Sequence, residues 1–138
     1  MANKRVNQLE QANIEEQIQE QVIEQTQEED EYLFPGGPTL KQIDDWKEKY
    51  GQIYMTEVDD EEVFIWRVLT RKEFKEIMGL ENSDALYREE RVCEKCILWP
   101  EGYTFDKISD GKAGVPTILA EQVMERSGFI PKTGPIAL

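Results

Sequence analysis

Pro35-Gly36-Gly37-Pro38 is the stretch that most limits what this chain can build, because neither a helix nor a strand passes through it. Proline fixes φ and lacks an N–H, and paired glycines add backbone freedom, so the segment punctuates the fold. With Leu33 and Phe34 it divides the chain by composition. The reading is an acidic N-terminal arm over 1–32, a Pro/Gly linker over 33–38 and a compact domain over 39–129. An irregular C-terminal tail with two prolines follows over 130–138.

The arm holds nine acids against Lys4 and Arg5, with seven glutamines and neither Gly nor Pro. About half of the chain's excess negative charge therefore lies before the linker. Its residues are good helix formers. Ile14, Ile18 and Val22 recur at i+4 and predict a thin apolar stripe. Val6 and Leu9 precede it, but the heptad breaks where Asn13 and Glu16 take the seam positions. Three readings stay open for it: a marginal helix, a disordered arm that becomes helical against a partner, or a solvated tail.

Past the linker, Thr39 predicts a helix cap for residues 40–50, with Leu40, Ile43 and Trp46 on one face and Gly51 as the stop. Residues 52–58 and 63–68 are rich in β-branched and aromatic side chains, and the acidic Asp59-Asp60-Glu61-Glu62 lies between them. That spacing predicts a β-hairpin with a four-residue loop. Thr70-Arg71-Lys72-Glu73 is a capping box opening a helix through Met78, with Phe74, Ile77 and Met78 as its apolar face and Gly79 as its end. Asn82 or Ser83 caps the next helix, expected through Leu98 with Leu86, Cys93, Cys96 and Ile97 on one side, Val92 beside them, and Pro100 as terminator. Residues 101–114 read as a loop. Pro116 opens a last helix through about Arg126, with Leu119 and Val123 inward and Gly128 beyond its end. The fold class is α+β and mostly helical: a small β-hairpin packed with about four short helices, preceded by the acidic Gln/Glu-rich arm.

Composition restricts the chemistry. The 138 residues suit one domain, and they contain no histidine, which removes Ser-His and Cys-His nucleophile systems and the commonest general base near neutral pH. Net charge is −13, which repels phosphate backbones and anionic membrane surfaces, so neither nucleic acid nor membrane is expected as a partner. No apolar run reaches the roughly 18 to 20 residues of a membrane span, and the first ten residues lack a signal-peptide core. The expected location is the cytoplasm. Two cysteines, Cys93 and Cys96, offer no disulfide framework.

Cys93-Glu94-Lys95-Cys96 is the one motif that invites a chemical reading. A redox pair belongs at a helix N-terminus, where the dipole lowers thiol pKa, whereas these lie late in a predicted helix. A zinc site needs four ligands, and this chain supplies two unless two copies share the metal. Spaced i and i+3, the pair suits simple burial. The acidic loop 59–62 lacks the spacing and the glycine of an EF-hand and reads as a solvated hairpin loop. Gly111-Lys112-Ala113-Gly114 lacks the surrounding pattern of a phosphate loop. The many carboxylates form no evident acid–base pair. Trp46, Trp66 and Trp99 read as core or core-edge residues, with an exposed aromatic cluster for partner binding as the alternative. No cofactor and no enzymatic activity is expected.

Three segments carry a resemblance. They are Phe64-Ile65-Trp66-Arg67-Val68-Leu69-Thr70-Arg71-Lys72-Glu73-Phe74, then Arg91-Val92-Cys93 to Leu98-Trp99-Pro100, then Ala113-Gly114-Val115-Pro116 leading to Ser127-Gly128-Phe129. The succession resembles the tail assembly chaperones, and the similar baseplate-hub assembly proteins, of long-tailed bacteriophages. In those proteins a hairpin carrying an R-x-L-T-x-x-E stretch precedes helices, one of which ends in a C-x-x-x-P element, here Cys96 to Pro100. The likeness covers about residues 40–129 and leaves out the acidic arm. It implies a non-enzymatic role: holding the tape-measure protein soluble in the host cytoplasm while the tail is built around it. The alternative is a structural subunit of the virion, in baseplate, tail or neck, suggested by an arm joined to a compact domain and suited to reaching a neighbouring subunit. Leu40, Ile43, Trp46, Trp66, Phe74, Leu119 and Val123 are the expected contact or core residues, and association between copies of the chain stays open.

Overall fold

The computed structural model describes residues 12–14, which are helical, and 31–138. Of the arm's expected stripe, Ile14 is exposed, while Val6, Leu9, Ile18 and Val22 lie outside the described residues. The chain divides into two compact units, Met1–Asp45 and Trp46–Leu138.

In the first unit the Pro-Gly-Gly-Pro segment is a hydrogen-bonded turn. Leu33 N donates to Pro38 O at 2.9 Å, Gly37 N to Phe34 O at 2.9 Å, and Tyr32 bridges Thr39. Gly36 takes φ +77°, which glycine alone adopts without strain, and a Cβ on Gly37 would run into the Phe34 ring. Helix α1 (Leu40–Tyr50) begins immediately. Thr39 Oγ1 accepts from Gln42 N at 3.1 Å while Gln42 Oε1 accepts from Thr39 N at 2.9 Å, a reciprocal cap with glutamine in the usual glutamate position. Gly51 ends the helix in the left-handed region at φ +80°.

The second unit is α+β, about half helical around a three-stranded antiparallel sheet in the order β1-β2-β3. β1 (Ile53–Glu57) and β2 (Val63–Arg67) form the hairpin, paired Ile53↔Arg67 through Glu57↔Val63. α2 (Arg71–Met78) opens with the full capping box: Glu73 N donates to Thr70 Oγ1 at 3.2 Å and Thr70 N to Glu73 Oε1 at 3.1 Å. Thr70→Ala should therefore lower stability by about 1 kcal/mol, read as a shift in the urea midpoint.

Several details depart from the sequence expectation. Helix α3 (Ala85–Cys96) is capped by Asp84, whose side chain accepts from Tyr87 N at 2.8 Å. Asn82 instead takes a left-handed φ of 55°, and Ser83 Oγ is engaged by Leu80 O and Arg88 Nε. α3 also stops at Cys96, because Ile97–Trp99 pair with β2 as β3. A β-branched residue and a position before proline both favour extended backbone there, and the Trp99-Pro100 bond is cis. Residues read as loop contain α4 (Phe105–Asp110), too short to show periodicity, with Ile108 buried. Leu86, expected inward, is 65% exposed, since the buried residues of α3 are confined to Val92, Cys93 and Cys96 in its second half.

α5 (Val115–Met124) begins on Pro116 at its first turn and presents Leu119 and Val123, both at zero exposure. It ends two residues before the expected Arg126 and passes into a wide π turn (Glu125–Phe129) that closes at Gly128, φ +95°. Ser127 pins this end: its Oγ accepts from Leu69 N at 2.9 Å and donates to Val123 O at 2.6 Å. The core lies between the sheet and the α3–α5 pair, built from Phe64, Trp66, Ile77, Val92, the two cysteines, Leu119 and Val123. Residues 130–138 have no regular structure and are exposed.

Candidate interaction surface

The cysteine pair belongs to the interior. Both thiols are fully buried on α3, and Cys93 Sγ donates to Pro116 O of α5 at 3.4 Å. Burial pushes each thiol up to about 12, and for Cys93 the neighbouring Cys96, Glu89 and Glu90 add to it. A thiol so poor in thiolate is a packing group rather than a nucleophile. Ellman's reagent should accordingly leave both unmodified in the native protein at mildly alkaline pH and titrate two thiols once denaturant is added.

The acidic hairpin loop is organised by its own turn. Asp59 Oδ1 accepts from Glu61 N at 2.9 Å and Glu62 N at 2.8 Å, and its carboxylate pairs with Lys112, which holds its pKa below the ordinary value. Among the described residues no group of three or more Cys, Asp or Glu side chains is placed to hold a metal ion.

The residues expected to make contacts scatter. Trp66 (3% exposed), Leu119 and Val123 are core, and Phe74 packs against them with its ring 4.9 Å from that of Phe129. In the first unit, Leu40 is exposed and Ile43 buried; in the second, Trp46 is half-buried. Trp66, Leu119 and Val123 are thus brought together inside the molecule, and the half-buried Phe74 packs at the edge of that cluster.

An open apolar feature of the second unit lies elsewhere, where α2 crosses α3. Ile77, Leu80, Thr104 and the side chains Glu76, Arg91, Glu94 and Lys95 line a groove of about 530 Å³ with a mostly apolar wall. Gly79 ends α2, so Leu80 stands outside the helix at 39% exposure beside the buried Ile77. The rim carries two acids and two bases: Arg91 pairs with Glu94 at 2.7 Å and Lys95 lies 3.9 Å from Glu76, while Arg91 Nε and Nη2 have no hydrogen-bond partner among the described residues. Arg91 also lies 4.7 Å over the Tyr87 ring. The rim therefore has no net charge. Leu80 was the legible hint, a large apolar residue stranded just past a helix stop, but the sequence does not say that α3 runs beside it.

Comparison with protein-family models, with curated proteins and with solved structures finds no match to this chain. Among the described residues no helix is long and apolar enough to cross a membrane.

Proposed function

We propose that this protein is a non-enzymatic assembly chaperone of the phage-tail kind, acting in the host cytoplasm on an apolar helical stretch of the tape-measure protein. The observation that supports this reading is the α2–α3 groove: an apolar floor of Ile77 and Leu80 inside a self-neutralised ionic rim, on a chain of net charge −13. Such a rim admits an apolar helix without leaving an unpaired charge, and helix-in-groove binding needs little else. The acidic body repels its own copies and keeps the loaded complex dispersed. A tape-measure chain exposes apolar helical stripes before assembly, and stripes of that kind aggregate unless covered.

Co-expression with the cognate tape-measure protein, followed by pull-down, tests the reading. Wild type should keep the partner soluble and co-purify with it. Leu80→Glu, which changes an exposed side chain, should lose the partner while retaining its own fold. Failure of the wild-type chain to capture or solubilise the partner refutes the proposal. Mass spectrometry of finished particles separates the virion-subunit role: a chaperone is missing from them, a subunit present in fixed ratio.

A further inference from the structure

β1 is an edge strand, bonded on its β2 side, and among the described residues no other segment pairs with its outer side. The register shows which groups that edge offers. Val58 N donates to Glu62 O at 2.9 Å just beyond the strand ends, so this is a hydrogen-bonded pair. Bonded and non-bonded pairs alternate along an antiparallel ladder. Tyr54 and Thr56 therefore spend their backbone groups on β2, while Ile53, Met55 and Glu57 turn theirs outward. Gln52 Nε2 already donates to Ile53 O at 2.9 Å, whereas Met55 and Glu57 remain open. No lysine, proline or bulge guards this edge, and Met55 is 50% exposed.

A groove of about 360 Å³ runs beside the edge, between Tyr54–Glu57 and the Gln122, Glu125 and Arg126 side chains at the end of α5. Its walls are fixed in advance. Trp66 Nε1 donates to Thr56 Oγ1 at 2.8 Å, Thr56 Oγ1 donates to Gln122 Oε1, and the Tyr54 and Trp66 rings stack at 4.7 Å. Its charge is negative on balance, two acids against Arg126 in the lining. Glu57 and Glu125 line the groove, and Asp59, Asp60, Glu61 and Glu62 follow at the end of β1. The cations nearby are occupied, Arg126 over the Tyr54 ring and Lys112 on Asp59.

We propose that this groove takes an extended, lysine- or arginine-bearing segment of a partner protein as a fourth strand beside β1. Main-chain pairing at Met55 and Glu57 supplies the affinity, and alternate side chains reach the Tyr54–Trp66 floor. The acidic surround selects cationic side chains over anionic ones and speeds their arrival. This site is separate from the α2–α3 groove and adds a second kind of ligand, an extended basic strand instead of an apolar helix.

The test uses the full chain, amide NMR and three synthetic probes: an alternating lysine–valine peptide, its glutamate–valine counterpart, and the lysine–valine peptide N-methylated on its pairing amides. The lysine–valine peptide should shift the Met55 and Glu57 amides and slow exchange at Met55. The other two should bind at least about tenfold more weakly, the loss expected for one or two hydrogen bonds. Met55→Pro removes an N–H that points away from β2, and it should weaken binding by about tenfold with the hairpin intact. The exposed double change Glu57→Lys/Glu125→Lys should transfer the preference to the glutamate–valine peptide. The proposal is overturned if the lysine–valine peptide does not bind, if N-methylation makes no difference, or if neither variant alters binding. Peptide-induced shifts centred on Leu80 would also overturn it, as would β1 shifts that grow with protein concentration alone, which would make a second copy the occupant.

Discussion

Leu119→Ala is expected to lower the unfolding free energy by about 3 kcal/mol, whereas Ile118→Ala, one residue earlier, should cost under about 1 kcal/mol. The two side chains share a helix and differ only in direction. Leu119 has zero exposure and sits in the core opposite α3; Ile118 is 43% exposed. Removing a buried leucine loses its transfer free energy and leaves a cavity that rigid neighbours fill poorly. Urea titrations of both variants provide the measurement, with the midpoint moving and the slope unchanged. Equal losses at the two positions would mean that α5 does not face α3 as described.

The second large effect belongs to Arg67, which holds three elements at the end of β2. Its guanidinium forms a fork with Glu73, Nη1–Oε1 and Nη2–Oε2 both 2.8 Å, and Nη2 also donates to Lys95 O at 2.9 Å near the end of α3. Tyr50 lies 5.0 Å beneath it. Arg67→Met keeps most of the stem but leaves Glu73 unpaired and a helix-terminal carbonyl without its donor. The expected loss at neutral pH is about 2 kcal/mol, below that of a fully buried pair because the two side chains keep 13% and 18% exposure. The pH dependence identifies the cause. Arg67 lowers the Glu73 carboxyl from 4.5 to about 2, with Thr70 assisting. A depressed carboxylate pKa adds stability that is full above 4.5 and is lost as pH falls through about 2. The gap between wild type and Arg67→Met should therefore narrow across that window. A gap that stays constant to the acid limit would assign the effect to packing rather than to charge.

Local rules made much of this fold readable. Thr70 and Glu73 at capping-box spacing, Thr39 before an apolar i/i+3 face, and Pro116 at a first turn each specify a helix start with side chains that act within a few residues. The hairpin was equally legible, since two β-rich runs around four acids leave few other pairings. What escaped was decided at long range. Ile97–Trp99 read as the end of a helix until β2 offers a partner on its free side. α4 buries only Ile108, so periodicity had nothing to count. Apolarity marks the expected contact or core residues without separating the two roles; Trp66, Leu119 and Val123 fall in the core. The α2–α3 groove and the β1 edge arise from which elements become neighbours, and a single sequence does not record that.

The α3–α5 pair has a consequence for how the molecule breathes. Each of these helices contributes side chains with no solvent contact, Cys93 and Cys96 from one and Leu119 and Val123 from the other, and Cys93 bonds directly to the α5 backbone. Amide protons in the middle of both helices are expected to exchange slowest in deuterium, at a rate close to that of global unfolding. Those of 130–138, exposed and without regular structure, exchange at once. Exchange is thus expected to be graded from this helix pair outward to the tail.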